Sequence, residues 1–87
     1  MTTVIAVHEV TDVAHWLGSS KRAEFFGAHG MTVRPFIDPS GGNRVGVVID
    51  NVPSLEVLTE VLQGADAAEA MKHDGVHPDT VELFVAS

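Results

Sequence analysis

Apolar residues fall along this chain in two kinds of run. In 3–10, TVIAVHEV, they are nearly contiguous and rich in β-branched types, which predicts a strand. The same reading holds for MTVRPFID at 31–38, RVGVVID at 44–50 and TVELFVA at 80–86. Elsewhere the spacing is helical. Val13, Trp16 and Leu17 share one side of a turn, and Phe25 and Phe26 extend it. Thr11 and Asp12 are N-cap residue types. Gly18, Ser19 and Ser20 weaken the middle of this helix, and Gly27 and Gly30 end it. A second helix starts after Ser54, with Glu56 placed to complement the dipole. Leu55, Leu58 and either Val61 or Leu62 mark its inner side. Gly64 breaks it, and ADAAEAMKH continues it with Ala68 and Met71 inward.

The order is β-α-β-β-α-β, the split βαβ pattern, in one domain over residues 1–87. This is an α+β fold: a four-stranded antiparallel sheet with two helices on one face. DPSGGN at 38–43 closes a hairpin between the second and third strands. Pro35 cannot donate to a ladder, so its strand belongs at an edge, or Pro35 sits at a bulge. VIAV and VGVV do not alternate with polar residues, so both faces of the sheet are predicted to be buried. Two helices cover only one face. A second copy of the same sheet is the simplest cover for the other, which predicts a homodimer through the sheet face.

Composition sharpens this. A chain of 87 residues buries only roughly 60–65% of its unfolded surface, yet 45% of this one is hydrophobic. The surplus again points to a partner chain. Net charge is −7, from 12 acidic and 5 basic residues. The basic ones (Lys21, Arg22, Arg34, Arg44, Lys72) are dispersed, so no phosphate-binding footprint exists and nucleic acid and anionic membranes are not expected partners. The absence of cysteine excludes disulfides, thiolate catalysis and sulfur-ligated metal. No signal peptide or long apolar span is visible, and a soluble, cytoplasmic protein is expected. No phosphate loop, GxSxG elbow or paired carboxylates for glycoside chemistry occur.

Five histidines carry the candidate chemistry. His8 ends the first strand. If Val4 and Ala6 face inward, His8 joins them while Ile5, Val7 and Glu9 face outward. An imidazole in an apolar cavity can act as a general base near neutral pH; the alternative is a buried histidine held by backbone. His15 and Trp16 are neighbours about 100° apart on their helix. Trp16 reads as core, with ligand stacking as the alternative, and His15 as exposed. His73 and His77 have the i,i+4 spacing of zinc-binding helices. Gly75 stands between them as a natural left-handed terminator, and Pro78 follows. The helix is therefore expected to end near His73, which leaves no metal site in this pair. Arg34 could anchor a carboxylate or enolate by a two-pronged contact. The favoured alternative is an ion pair at the dimer edge, with Asp38 or an acid of the other chain. Phe36 and Phe84 read as core.

Three stretches carry a family resemblance along nearly the whole chain: VHEVTDVAHWL at 7–17, IDPSGGNRVGVVID at 37–50 and SLEVLTEVLQGADAAEAMKHDGV at 54–76. They resemble the dimeric α+β barrel proteins. That group includes cofactor-independent antibiotic biosynthesis monooxygenases, polyketide cyclases, muconolactone-type isomerases and haem-degrading monooxygenases, besides plain binding proteins. The resemblance implies a ferredoxin-like half-barrel, an obligate dimer and a hydrophobic cavity between sheet and helices. The haem-degrading branch carries a histidine where this chain has Met71 and a tryptophan where it has Val61. The plant-type cyclase carries a tyrosine and a histidine where this chain has Val61 and Ala67. Of the latter set only the first-strand histidine is retained, as His8. No complete catalytic set carries over, and no cofactor is expected.

Two functions follow as expectations. One is a cofactor-independent cyclase, isomerase or monooxygenase acting on a small hydrophobic or aromatic molecule, with His8 as base and Trp16 and Arg34 as substrate-binding residues. The other is a non-catalytic dimeric module that binds a ligand or a protein.

Overall fold

A computed structural model describes residues 1–87. Its elements are β1 (Thr2–Glu9), α1 (Val13–Gly18), α2 (Lys21–Ala28), β2 (Thr32–Ile37), β3 (Arg44–Val52), α3 (Leu55–Leu62), α4 (Ala65–Asp74) and β4 (Glu82–Val85), with a 3₁₀ turn at Pro78–Thr80 before β4. The strands form one antiparallel sheet in the order β2-β3-β1-β4. This is the ferredoxin-like α+β fold that the element order predicts. Pro35 does lie on an edge strand, opposite Val47.

Local chemistry explains where the helices start and stop. Asp12 caps α1 by accepting from the His15 N–H at 3.2 Å, and Ser54 caps α3 by accepting from the Val57 N–H at 3.2 Å. The first helical region is broken at Ser19 and Ser20, the second at Gln63 and Gly64. Gly75 ends α4 in the left-handed conformation, at φ 73°. His77 therefore falls outside the helix, and its Nε2 lies 3.0 Å from the Thr11 hydroxyl. Two backbone bonds, Thr11 N–H to Gly75 C=O and His77 N–H to Glu9 C=O, both 2.9 Å, tie this loop to the end of β1.

Strand alternation sorts the side chains. Val4, Ala6 and His8 of β1 lie opposite Ile49, Val47 and Val45 of β3, and all six are buried under the helices. Trp16, Phe26 and Leu58 descend onto them to complete the core. The other face carries Ile5, Val7, Val48, Phe36 and Phe84 and has no covering layer within the chain. Phe36 and Phe84 are 49% and 55% exposed, so they are not core residues of the single chain. Two ion pairs flank this face: Arg44–Glu82 at 2.7 Å and Arg34–Asp50 at 3.9 Å.

Several inner-face expectations shift. Leu55 and Leu17 are exposed, and Leu58 alone of α3 is fully buried. In α4 the buried alanine is Ala67, not Ala68. The break at Gly64 resets the helical phase. The alanines at 65, 67, 68 and 70 are too alike to reveal the new one. No helix of the chain is long and apolar enough to cross a membrane.

Candidate functional site

Between the sheet and the helices lies a cavity of about 80 Å³. Ala6, His8, Val47 and Ile49 form its floor. Trp16, Arg22, Phe25 and Phe26 line it from α1 and α2, and Leu62, Ala67, Ala70, Met71 and Asp74 from α3 and α4. Three polar side chains break an otherwise apolar wall: His8, Arg22 and Asp74. Leu62, Met71, Val76 and Val81 also line an outer cleft of about 450 Å³, so these four form the partition between cavity and surface.

His8 is 6% exposed, and its Nδ1 is the one fully buried side-chain nitrogen or oxygen without a hydrogen-bond partner. Its ring meets the edge of Trp16, centroids 5.8 Å apart and planes at 78°. Burial is the largest influence on the imidazole and pulls its pKa below the usual 6.5; a backbone contact with Glu9 opposes this, and the Arg22 and His77 charges add to it. His8 is therefore neutral at pH 7, and a neutral imidazole offers one bare nitrogen.

Arg22 stacks its guanidinium 4.1 Å above the Trp16 ring and donates Nη1–H to the Trp16 carbonyl at 3.1 Å. Burial lowers its pKa and Asp74 opposes that, yet a guanidinium stays charged at any physiological pH. Asp74 is 4% exposed and takes the His73 Nδ1–H at 2.9 Å. It sits in the last turn of α4, where the helix dipole disfavours a negative charge, and the Arg22 and His73 side chains offset that cost.

The structure thus brings His8 and Trp16 together in one cavity. Arg34 does not join them. It lies on the opposite face of the sheet, its side chain 65% exposed, with Asp50 rather than Asp38 as its ion-pair partner. Asp38 instead holds the turn, accepting from the Ser40 N–H at 2.8 Å and hydroxyl at 2.6 Å, bonds that lower its pKa. Arg22 and Asp74 are the cavity residues that sequence reasoning missed. A signal for Asp74 existed: a carboxylate one residue before a helix-ending glycine runs against the dipole and needs a compensating partner.

No family model matches the chain, and no curated protein matches it. Among solved structures it is similar to a crystal structure described as an antibiotic biosynthesis monooxygenase. The TM-score is 0.62 at 13% identity, and the likeness covers 100% of this chain and 97% of that one. The shared property is the fold, a ferredoxin-like α+β sheet with helices, in agreement with the resemblance drawn from the sequence.

The depressed pKa of His8 makes stability depend on pH. Below about 6.5 the unfolded chain binds a proton at His8 that the folded chain resists, so this contribution is whole above that pH and is lost as pH falls. Urea unfolding from pH 7 to pH 5 is expected to show a steeper loss for the wild type than for His8→Leu, which cannot titrate. Parallel curves would remove burial as the controlling influence on His8.

Proposed function

We propose that this chain is a cofactor-independent enzyme that removes a proton α to a carbonyl of a small hydrophobic, aromatic or polyketide-like molecule. The observation that carries the reading is the neutral, unpartnered His8 imidazole in the wall of an apolar cavity. His8 takes the proton. The electron pair moves onto the carbonyl oxygen, and Arg22 is the cation available in that wall to balance the enolate. Trp16 supplies an apolar edge for the substrate and orients both groups, His8 through its ring and Arg22 through stacking. Return of the proton elsewhere gives isomerisation. Attack of the enolate on a second carbonyl gives cyclisation. Addition of the enolate carbon to dioxygen gives a hydroperoxide, whose loss of water leaves a new carbonyl, with the substrate itself oxidised, and this is the monooxygenase variant.

The cavity is smaller than the roughly 300–1,000 Å³ common for ligand sites. Substrate entry therefore requires the partition of Leu62, Met71, Val76 and Val81 to part toward the outer cleft. Met71 is its flexible member. The lack of a complete catalytic set supports the second reading, a dimeric binding module without turnover.

The assembly we infer is a homodimer of one domain over residues 1–87, joined through the bare sheet face, in the cytoplasm. Ile5, Val48, Phe36 and Phe84 form an apolar patch of the kind a second copy covers, and the two flanking ion pairs give it a polar rim. In this arrangement Arg34 belongs to the rim and not to the substrate.

Proton abstraction can be read before the product is known. In deuterated water, nuclear magnetic resonance (NMR) follows exchange of α-protons across a panel of aryl ketones and β-diketones. The wild type is expected to exchange at least one of them, at a rate that rises with pH to a plateau with its midpoint below about 6.5. His8→Ala should cut that rate by roughly 10²–10⁴-fold while remaining folded. Saturable binding without exchange would replace the enzyme by the binding module.

Native mass spectrometry tests the assembly. A mass of twice 9.2 kDa is expected for the wild type, and one of 9.2 kDa for Phe84→Asp, which sets a charge on the covered face. A wild-type monomer would sink the dimer.

A further inference from the structure

A second cluster lies outside the cavity, where α1 meets the C-terminal end of α4. His15, His73 and Asp74 each offer a ligand atom, and the three lie within 4.8 Å of one another. His77, which the sequence spacing pairs with His73, is not part of it. We propose that these three side chains form a binding site for one divalent transition metal ion of the zinc class.

The hydrogen bonds prepare the site. His15 Nε2 lies 2.8 Å from the His73 carbonyl oxygen. A carbonyl can only accept, so that nitrogen carries the proton and His15 Nδ1 keeps its lone pair. His73 Nδ1 lies 2.9 Å from Asp74 Oδ1: without an ion a proton bridges the two, and an ion that displaces it finds both atoms facing it. His15 thus has one N–H anchored on an oxygen and one free nitrogen, the arrangement that fixes metal-ligating histidines. Metal binding releases the proton that bridges His73 and Asp74, and His73 then ligates through Nδ1 beside an Asp74 oxygen. The rings already face each other, centroids 5.6 Å apart at 37°. Ligands on a tetrahedral ion with bonds of about 2.0–2.1 Å stand roughly 3.4 Å apart. The spread of 4.8 Å closes to that by small rotations of His15 and His73, both at exposed positions.

The electrostatics favour a cation. The site sits on the negative end of the α4 dipole, Asp74 is a buried carboxylate, and the chain carries a net charge of −7. Two nitrogens and a carboxylate oxygen suit zinc, nickel, cobalt or copper, and suit calcium or magnesium poorly. Three protein ligands leave a fourth position open to water. Capping the α4 carbonyls would explain His15 alone, but not why a second imidazole and a carboxylate converge on it.

The test is binding of cobalt(II) to the full chain after chelator treatment, read by its visible d–d absorption. This readout does not depend on turnover or on His8. About one equivalent per chain is expected, with micromolar affinity. His15→Ala and His73→Ala, both at exposed positions, should each weaken binding about tenfold or more, with His29→Ala unchanged. Competition by zinc should bleach the spectrum. No binding up to about 1 mM, or binding that survives the double variant His15→Ala/His73→Ala, would overturn the site.

Discussion

The antiparallel register of β1 against β3 is the constraint on which the rest of this molecule depends. Ala6 faces Val47 and His8 faces Val45, and strand alternation carries that choice along the whole sheet. It sends Val4, Ala6 and His8 beneath the helices and leaves Ile5 and Val7 on the bare face. A slip of one residue would put His8 on the bare face and Glu9 into the core. Nothing in the histidine itself selects the cavity. The backbone pairing of its neighbours does.

The other polar groups of the cavity gather around that placement. An imidazole pressed against Trp16 in an apolar wall loses water and stays neutral. The one cation beside it, Arg22, stacks on the same tryptophan ring and is answered by Asp74. The carboxylate in turn contacts His73, and His15 meets His73 from α1. A chain of contacts thus runs from the cavity to the helix ends, through a buried acid that serves both sides.

The amount that could be read from the sequence differs by element, for physical reasons. Local signals were legible: Asp12 and Ser54 as caps, Gly64 and Gly75 as breaks, and the inward parity of His8 once Val4 and Ala6 were taken as core. Parity in β2 was not, because apolar residues stand on both of its faces. Val33, Pro35 and Ile37 point one way, and Arg34 and Phe36 the other. Arg34 was therefore eligible for the cavity on paper and lies across the sheet from it in space. Arg22 and Asp74 meet only because α2 packs on α4, and His15 and His73 stand 58 positions apart. Such meetings are tertiary, and no spacing rule records them.

The central claim is that His8 is a desolvated, neutral base at the cavity wall. The direct measurement is an NMR titration of the His8 imidazole, using side-chain nitrogen and carbon shifts across the acid range. The account predicts a midpoint below the ordinary value of about 6.5 and a neutral ring throughout the physiological range. A midpoint at or above that value would mean a ring that is solvated or paired with an acid, and would contradict the account.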